Sequence, residues 1–289
     1  MSTAAVLRAR FPRTVENLRR YGGAAGRGFE QSGHLAWFAV ESVANIPHAI
    51  REYRKELLRL IAQIGMGTGA MAVVGGTVAI VGFVTLSGSS LVAIQGYSSL
   101  GNIGLEAFTG FLAAFVNVRL AAPVVTGVSL AATVGAGATA ELGAMRIAEE
   151  VDALEVISVK SISYLASTRI IAGLIVIIPL YAMAIIATFL SPQVTTTVLY
   201  GQSHGTYEHY FRTFLRPEDV FWSFGEVILM AAIIMISHCY YGYNATGGPV
   251  GVGEAVGRSM RFSLVSVELV ILLAELALYG VNPNFALTV

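Results

Sequence analysis

Acidic side chains carry most of the chemistry legible in this chain. Glu141, Glu149, Glu150, Asp152 and Glu155 crowd one stretch, TAELGAMRIAEEVDALEVI at Thr139–Ile157, between two apolar segments long enough to cross a bilayer. At about 100° per residue, Ile147, Val151 and Leu154 share one helical face, and Glu149 and Asp152 point the other way. Such a helix is too polar to span. It belongs at the membrane surface, in a soluble partner, or in solvent as a connector. Glu268 and Glu275 differ in kind: they lie on one face of an apolar segment. They are candidates for a proton relay, for pairing with a cation such as Arg119, or for a wet interface or subunit contact.

Other chemistries find little support. No Ser-His-Asp, paired-carboxylate or Cys-His arrangement stands out, so the residues point to no catalytic group. The single cysteine, Cys239, permits no internal disulfide, and the five histidines have no metal-ligand spacing; His238, near the end of a span, reads as packed or interfacial. Gly247, Gly248, Gly251 and Gly253 superficially suggest a phosphate loop, but the Lys-Ser/Thr ending and the preceding strand are missing. If ATP drives this protein, another chain binds it.

The elements that must position these residues are set by the solvent. The chain is 55% hydrophobic and 12% charged, against about 25% charged in a soluble domain, and its mean hydropathy is +0.69. An all-α integral membrane protein follows. Basic and acidic residues balance at 18 each, so net charge implies no nucleic-acid partner. Ten of the 18 basic residues, from Arg8 to Arg59, precede the first span, which puts the N-terminus in the cytoplasm. No signal peptide is evident.

Residues 1–60 form a basic, amphipathic region of one or two helices in the membrane interface, with Trp37 and Phe38 as headgroup-level anchors. A five-helix transmembrane body occupies 61–280. Its spans are expected at about Ile61–Leu86 (rich in glycines, among them Gly65, Gly67, Gly69, Gly75 and Gly76), Leu105–Ala138, Ile170–Leu190, Val220–Tyr240 and Phe262–Gly280. SGSSLVAIQGYSSLGNIG, at 87–104, reads as an extracytoplasmic loop or a broken helix lining a cavity. Arg119 should face protein or water, Pro123 should interrupt its span, and Pro179 should kink or weaken the third. Residues 191–218 read as an outside loop with a short helix, 241–261 as a cytoplasmic glycine-rich loop, and 281–289 as an extracytoplasmic tail. Five spans from an inside N-terminus place 139–157 in the cytoplasm and the C-terminus outside.

Several motifs together resemble a known family. QGY at Gln95–Tyr97, the step of 24 residues to Arg119, PVV at Pro123–Val125, TAELGAMRIAEEVDALEV and the GYNATGGPVGVGEAVGR segment look like the MlaE/YrbE family, the permeases of MCE-type ABC lipid transporters. The resemblance covers roughly residues 45–280. Its strongest sign is E-x-x-D-A-L-E at Glu149–Glu155. The basic N-terminus and glycine-rich late segment look most like an actinobacterial, mycobacterial-type YrbE of the B kind.

The resemblance implies five transmembrane helices, N-terminal interfacial helices and a cytoplasmic coupling helix at 139–157. It implies a bacterial inner-membrane location and, as partners, a second YrbE-like chain in a heterodimer, a cytoplasmic ABC ATPase that binds ATP and Mg, and extracytoplasmic MCE proteins. The chain itself would hold no cofactor and no metal. By the same likeness, Glu149, Glu150, Asp152, Leu154 and Glu155 would couple to the ATPase, and Gln95, Tyr97, Ile103, Arg119 and Leu120 would border a lipid cavity. The expected function is movement of a fatty-acid- or sterol-like lipid, inward. Two departures bear on the cavity: Leu120 stands where the family often has glutamate beside the arginine, and Thr133 where it often has arginine. Both remove charge, and the first leaves Arg119 without its neighbouring carboxylate. Competing readings are a proton-coupled secondary lipid transporter using Glu268 and Glu275, and a non-transporting membrane anchor for MCE proteins.

Overall fold

A computed structural model describes residues 32–66 and 76–280, and the described residues contain helices and no strand. The basic residues Arg8 to Arg27, the glycines Gly67, Gly69 and Gly75, and the tail 281–289 lie outside the described residues. Ten helices follow in order: α1 (32–44), α2 (Ile46–Glu52), α3 (Arg54–Met66), α4 (Thr77–Gly101), α5 (Glu106–Ile147), α6 (Glu150–Val156), α7 (Ile162–Leu199), α8 (His204–Phe214), α9 (Pro217–Tyr243) and α10 (Gly248–Tyr279). Five of them, α4, α5, α7, α9 and α10, are long and apolar enough to cross a membrane. The protein is therefore an all-α, multi-pass membrane protein.

The span boundaries differ from the sequence reading, each for a physical reason. The first span is Thr77–Gly101, not Ile61–Leu86, and it absorbs the serine-rich stretch expected as a loop or broken helix. Ser90 and the Leu86 carbonyl are bonded to α7. Thr195 donates to Ser90 (3.1 Å), Ser90 lies 2.6 Å from Ser191, and Ser191 donates to the Leu86 carbonyl (2.7 Å). A polar seam of this kind lowers hydropathy without breaking the helix. Residues 61–66 close the amphipathic α3 instead. Its Leu57 and Leu60 pack on Ile171 and Ala172 of α7, while Leu58 is exposed.

The second span runs past Pro123 to Ile147, through π-helical turns at Ala113–Ala121 and Ala131–Gly135. Wider turns let the helix pass a proline without stopping. The third span continues across both Pro179 and Pro192, so the loop expected at 191–218 is shorter, and α8 is the short helix expected in it. Thr196 donates to the Pro192 carbonyl at 2.9 Å.

The glycine-rich 241–261 segment is mostly the start of α10. Gly247 and Gly248 adopt positive φ, 91° and 70°, making a tight turn that admits Pro249 at the head of the helix. Gly242 allows α9 to touch α5, because a Cβ there would sit 2.8 Å from the Thr139 carbonyl. These glycines serve turning and close packing.

At the chain start, Trp37 is exposed as an interfacial anchor would be. Phe38 is not: it is buried against Tyr240 and Tyr243, with ring centroids 5.6 and 5.7 Å away. Ser167 of α7 donates to the Ser42 carbonyl at 2.8 Å, so α1 is fastened to the spans.

Candidate functional site

Residues 139–157 form two helices, not one. Thr139–Ile147 completes α5, the chain turns at Ala148–Glu149, and α6 follows. Glu149 has φ 60° and Ser158, just past the far end, has φ 64°, so non-glycine residues in the left-handed region bracket α6. Such conformers cost roughly 1–2 kcal/mol and persist where surrounding contacts hold them. Ser158→Gly should accordingly raise stability by about 1 kcal/mol, read as a higher melting temperature in detergent. An unchanged or lower melting temperature would show the turn to be unstrained.

Four of its residues hold α6 in place. Val151 is fully buried in the main apolar core and Leu154 packs against it. Arg146, at the end of α5, meets Asp152 at 2.6 Å. Ser161 donates to Glu155 at 2.7 Å, and the Tyr243 hydroxyl from α9 lies 2.7 Å from Ser161 and donates to Glu155 at 3.4 Å. Ile147, expected on the buried face with Val151, is partly exposed on α5, because the left-handed break at Glu149 resets the helical phase. What remains free is a tip: Glu149 and Glu150 are exposed, beside Val156 (84% exposed) and Ile157 (68%).

Glu141 belongs elsewhere. It accepts from buried Arg169 of α7 at 3.3 Å and from Gln63 of α3 at 3.1 Å, tying the amphipathic α3 to the spans. On α3 itself, the Arg59 guanidinium hydrogen-bonds Glu56 at 2.6 Å and holds its carboxyl below the ordinary glutamate value.

Behind the tip, α5, α9 and α10 are cross-linked through His238, fully buried as the sequence suggested. Its Nδ1 lies 2.7 Å from the Thr139 hydroxyl, which is 3.3 Å from Ser259. No group of His, Cys, Asp and Glu among the described residues is arranged to hold a metal ion.

At the opposite end Arg119 is 3% exposed, and it has a carboxylate after all. Asp219, the third residue of α9, accepts from its guanidinium at 2.9 and 3.2 Å. The Phe115 and Tyr279 rings cover the guanidinium at 4.1 and 3.8 Å, and the Tyr279 hydroxyl donates to Asp219 at 2.9 Å. The loss at Leu120 is thus made good from 100 residues away. Glu275 sits within electrostatic reach of Arg119 and Asp219, whereas Glu268 is exposed on α10 without a described partner. The two acids do not form one site. Gln95 and Ile103 are exposed, Tyr97 stacks on Tyr200 with centroids 4.2 Å apart, and Leu120 is partly exposed.

With this arrangement established, relatives become informative. The profile of the family described as Permease MlaE matches residues 66–277, from the end of α3 to within α10. The chain belongs to the MlaE permease family. Four spans, α6 and all but the last two residues of α10 lie in the matched region, as do Arg119, Phe115 and Asp219; Tyr279 falls just beyond it, and α1–α2 precede it. Among its relatives, the chloroplast protein TRIGALACTOSYLDIACYLGLYCEROL 1 of Arabidopsis thaliana is 30% identical over 174 residues, 60% of this chain and 50% of that protein. A probable ABC transporter permease protein of Rickettsia bellii is 28% identical over 188 residues, 65% of this chain and 73% of its own length. One of Synechocystis is 31% identical over 149 residues, 52% of this chain and 57% of its own length. The match therefore spans only about half the length of two of these relatives.

Two features of this MlaE-family chain escaped the sequence reading. Asp219 and buried Glu226 stand seven apart on α9, and Tyr279 stands four beyond Glu275, which the sequence had singled out, so helical spacing was available as a signal for them. The buried tyrosine of α8 was not singled out either: Tyr207 lies against Gly110 of α5, and burial pushes its hydroxyl above the ordinary tyrosine value.

Proposed function

We propose that this chain is the membrane permease subunit of an ATP-driven lipid transporter, and that α6 is the point where a separate cytoplasmic ATPase grips it. The observation that carries this reading is the construction of α6. A seven-residue helix, pinned by Val151, Asp152 and Glu155 to α5, α7 and α9, presents a free tip of two glutamates and two apolar side chains. A rigid projection rooted in three spans transmits displacement, and an acidic-apolar tip suits a basic-rimmed apolar groove. Relatives described as ABC transporter permeases support the same reading.

In this mechanism ATP and Mg stay on the ATPase. This chain's share is conformational: a push on α6 reaches α9 through Tyr243 and the Thr139–His238–Ser259 junction, and so moves α5, α9 and α10 together. The excess of basic residues before the first span supports a cytoplasmic side for that end and for α6, in a bacterial inner membrane. The cargo is a fatty-acid- or sterol-like lipid moved inward from MCE proteins. It passes between this chain and a second, different permease chain, near the Gln95, Tyr97, Ile103 and Leu120 surface.

Reversing the tip with Glu149→Lys and Glu150→Lys tests the engine directly. The expected result is at least about a tenfold loss of ATPase co-purification and of permease-stimulated hydrolysis. The melting temperature should hold, since neither side chain has a described partner. Normal association and hydrolysis in the reversed protein would end the coupling role.

A further inference from the structure

Glu268 is a charged side chain in the wrong place for a lone chain. Its neighbour Val267 is fully buried and lies level with Met230, because a Cβ at Gly127 of α5 would sit 3.1 Å from both. Met230 is the midpoint of the Pro217–Tyr243 span. Glu268 thus stands near the middle of the bilayer, about 10 Å along α10 from Arg261 and about 16 Å from Tyr279, at about 1.5 Å per residue. There it is exposed, and so are Val265, Leu269 and Leu272 around it.

A carboxylate facing hydrocarbon at that depth is expensive, so in the assembled protein this face meets protein. The rest of the chain limits what that protein is. Among the described residues, Arg119 and Arg169 are buried and already paired with Asp219 and Glu141. Arg258 and Arg261 lie on α10 itself, at least about 10 Å along the helix from Glu268, and the remaining described basic side chains lie on α1–α3, on α8 or at the ends of spans. A second copy therefore has no described cation to offer at this level. Two copies related by a two-fold axis along α10 would set Glu268 against Glu268, the like-charge arrangement that excludes a partner.

We propose that the Val265–Glu268–Leu272 face of α10 seats a spanning helix of a different chain, and that this helix carries an arginine or lysine at mid-bilayer depth to meet Glu268. The inference rests on the multi-chain reading above for the existence of that helix, and deepens it by specifying its chemistry. Charge selects the partner here, while the flanking valine and leucines supply the packing.

A photo-crosslinking residue at Leu272, in the full chain produced with its native partners, tests this. The expected adduct joins α10 to a spanning peptide of another chain with an arginine or lysine within one turn of the crosslink. Glu268→Lys should lower its yield by about tenfold or more, and Glu268→Gln by much less. Adducts chiefly with a second copy, adducts lacking a basic residue, or no protein adduct at all would overturn the proposal. A normal adduct in the protein whose α6 tip has been reversed, with the ATPase still bound, would sink the engine reading and leave this one standing.

Discussion

Replacing Arg119 by methionine should destabilise the protein by about 3–5 kcal/mol, the usual cost of leaving a buried acid without its cation. The guanidinium is enclosed by Phe115 and Tyr279 and bonded twice to Asp219, and Glu275 lies close by. Its removal strands Asp219 in a seam among α5, α9 and α10. The double replacement Arg119→Met with Asp219→Leu should recover more than half of the loss, because an apolar pair of similar volume often matches a buried ion pair. Thermal unfolding in detergent measures both. If the single variant melts with the parent, the pair holds nothing together, and a wet, adaptable surface takes its place.

That pair also marks the limit of sequence reading here. The five spans were legible because about 20 apolar residues are needed to cross hydrocarbon, and the chain offers such runs five times. Their ends were not. Serines in α4 looked like loop until Ser191 and Thr195 supplied partners, and the glycine-rich stretch before α10 looked like loop because the close approach of Gly242 to α5 is invisible in one dimension. The acid for Arg119 was sought at its chain neighbour, yet it comes from 100 residues away. The acidic stretch drew attention by composition, but its division at Glu149 carried no glycine or proline to announce it. Glutamate in a left-handed turn is a property of the surrounding contacts. Phe38 looked like an anchor only because a single sequence cannot show Tyr240 and Tyr243 waiting beside it.

Val151→Asp should have the second large effect, and it falls on coupling. Val151 is fully buried under a helix of only seven residues, so a carboxylate there meets no partner and lifts α6 from its seat. The spans themselves remain packed. Limited proteolysis should cut near residues 148–158 while the melting of the remainder changes little. Stimulated ATP hydrolysis should fall by about tenfold or more, with the ATPase still partly associated through Glu149 and Glu150. Val151→Ile, which keeps the site apolar and adds one methylene, should cost about 1–3 kcal/mol and leave hydrolysis near normal. Tip reversal therefore removes binding, and root disruption removes transmission. If the aspartate variant hydrolysed normally, α6 would be a handle without a shaft.

The lengths of α5 and α7 set the outline of the molecule. At 42 and 38 residues they measure about 60 Å, against about 40–45 Å for a bilayer with its headgroups, whereas α4 at 25 residues barely fills it. Even with ordinary tilt, about 10 Å of the two long helices stands in water. Their overhanging ends meet at α8, where Gly110 admits the Tyr207 backbone and Phe189 packs on Phe211. That end of the molecule is therefore a stiff platform, two spans braced by a cross-helix, able to stand clear of the lipid.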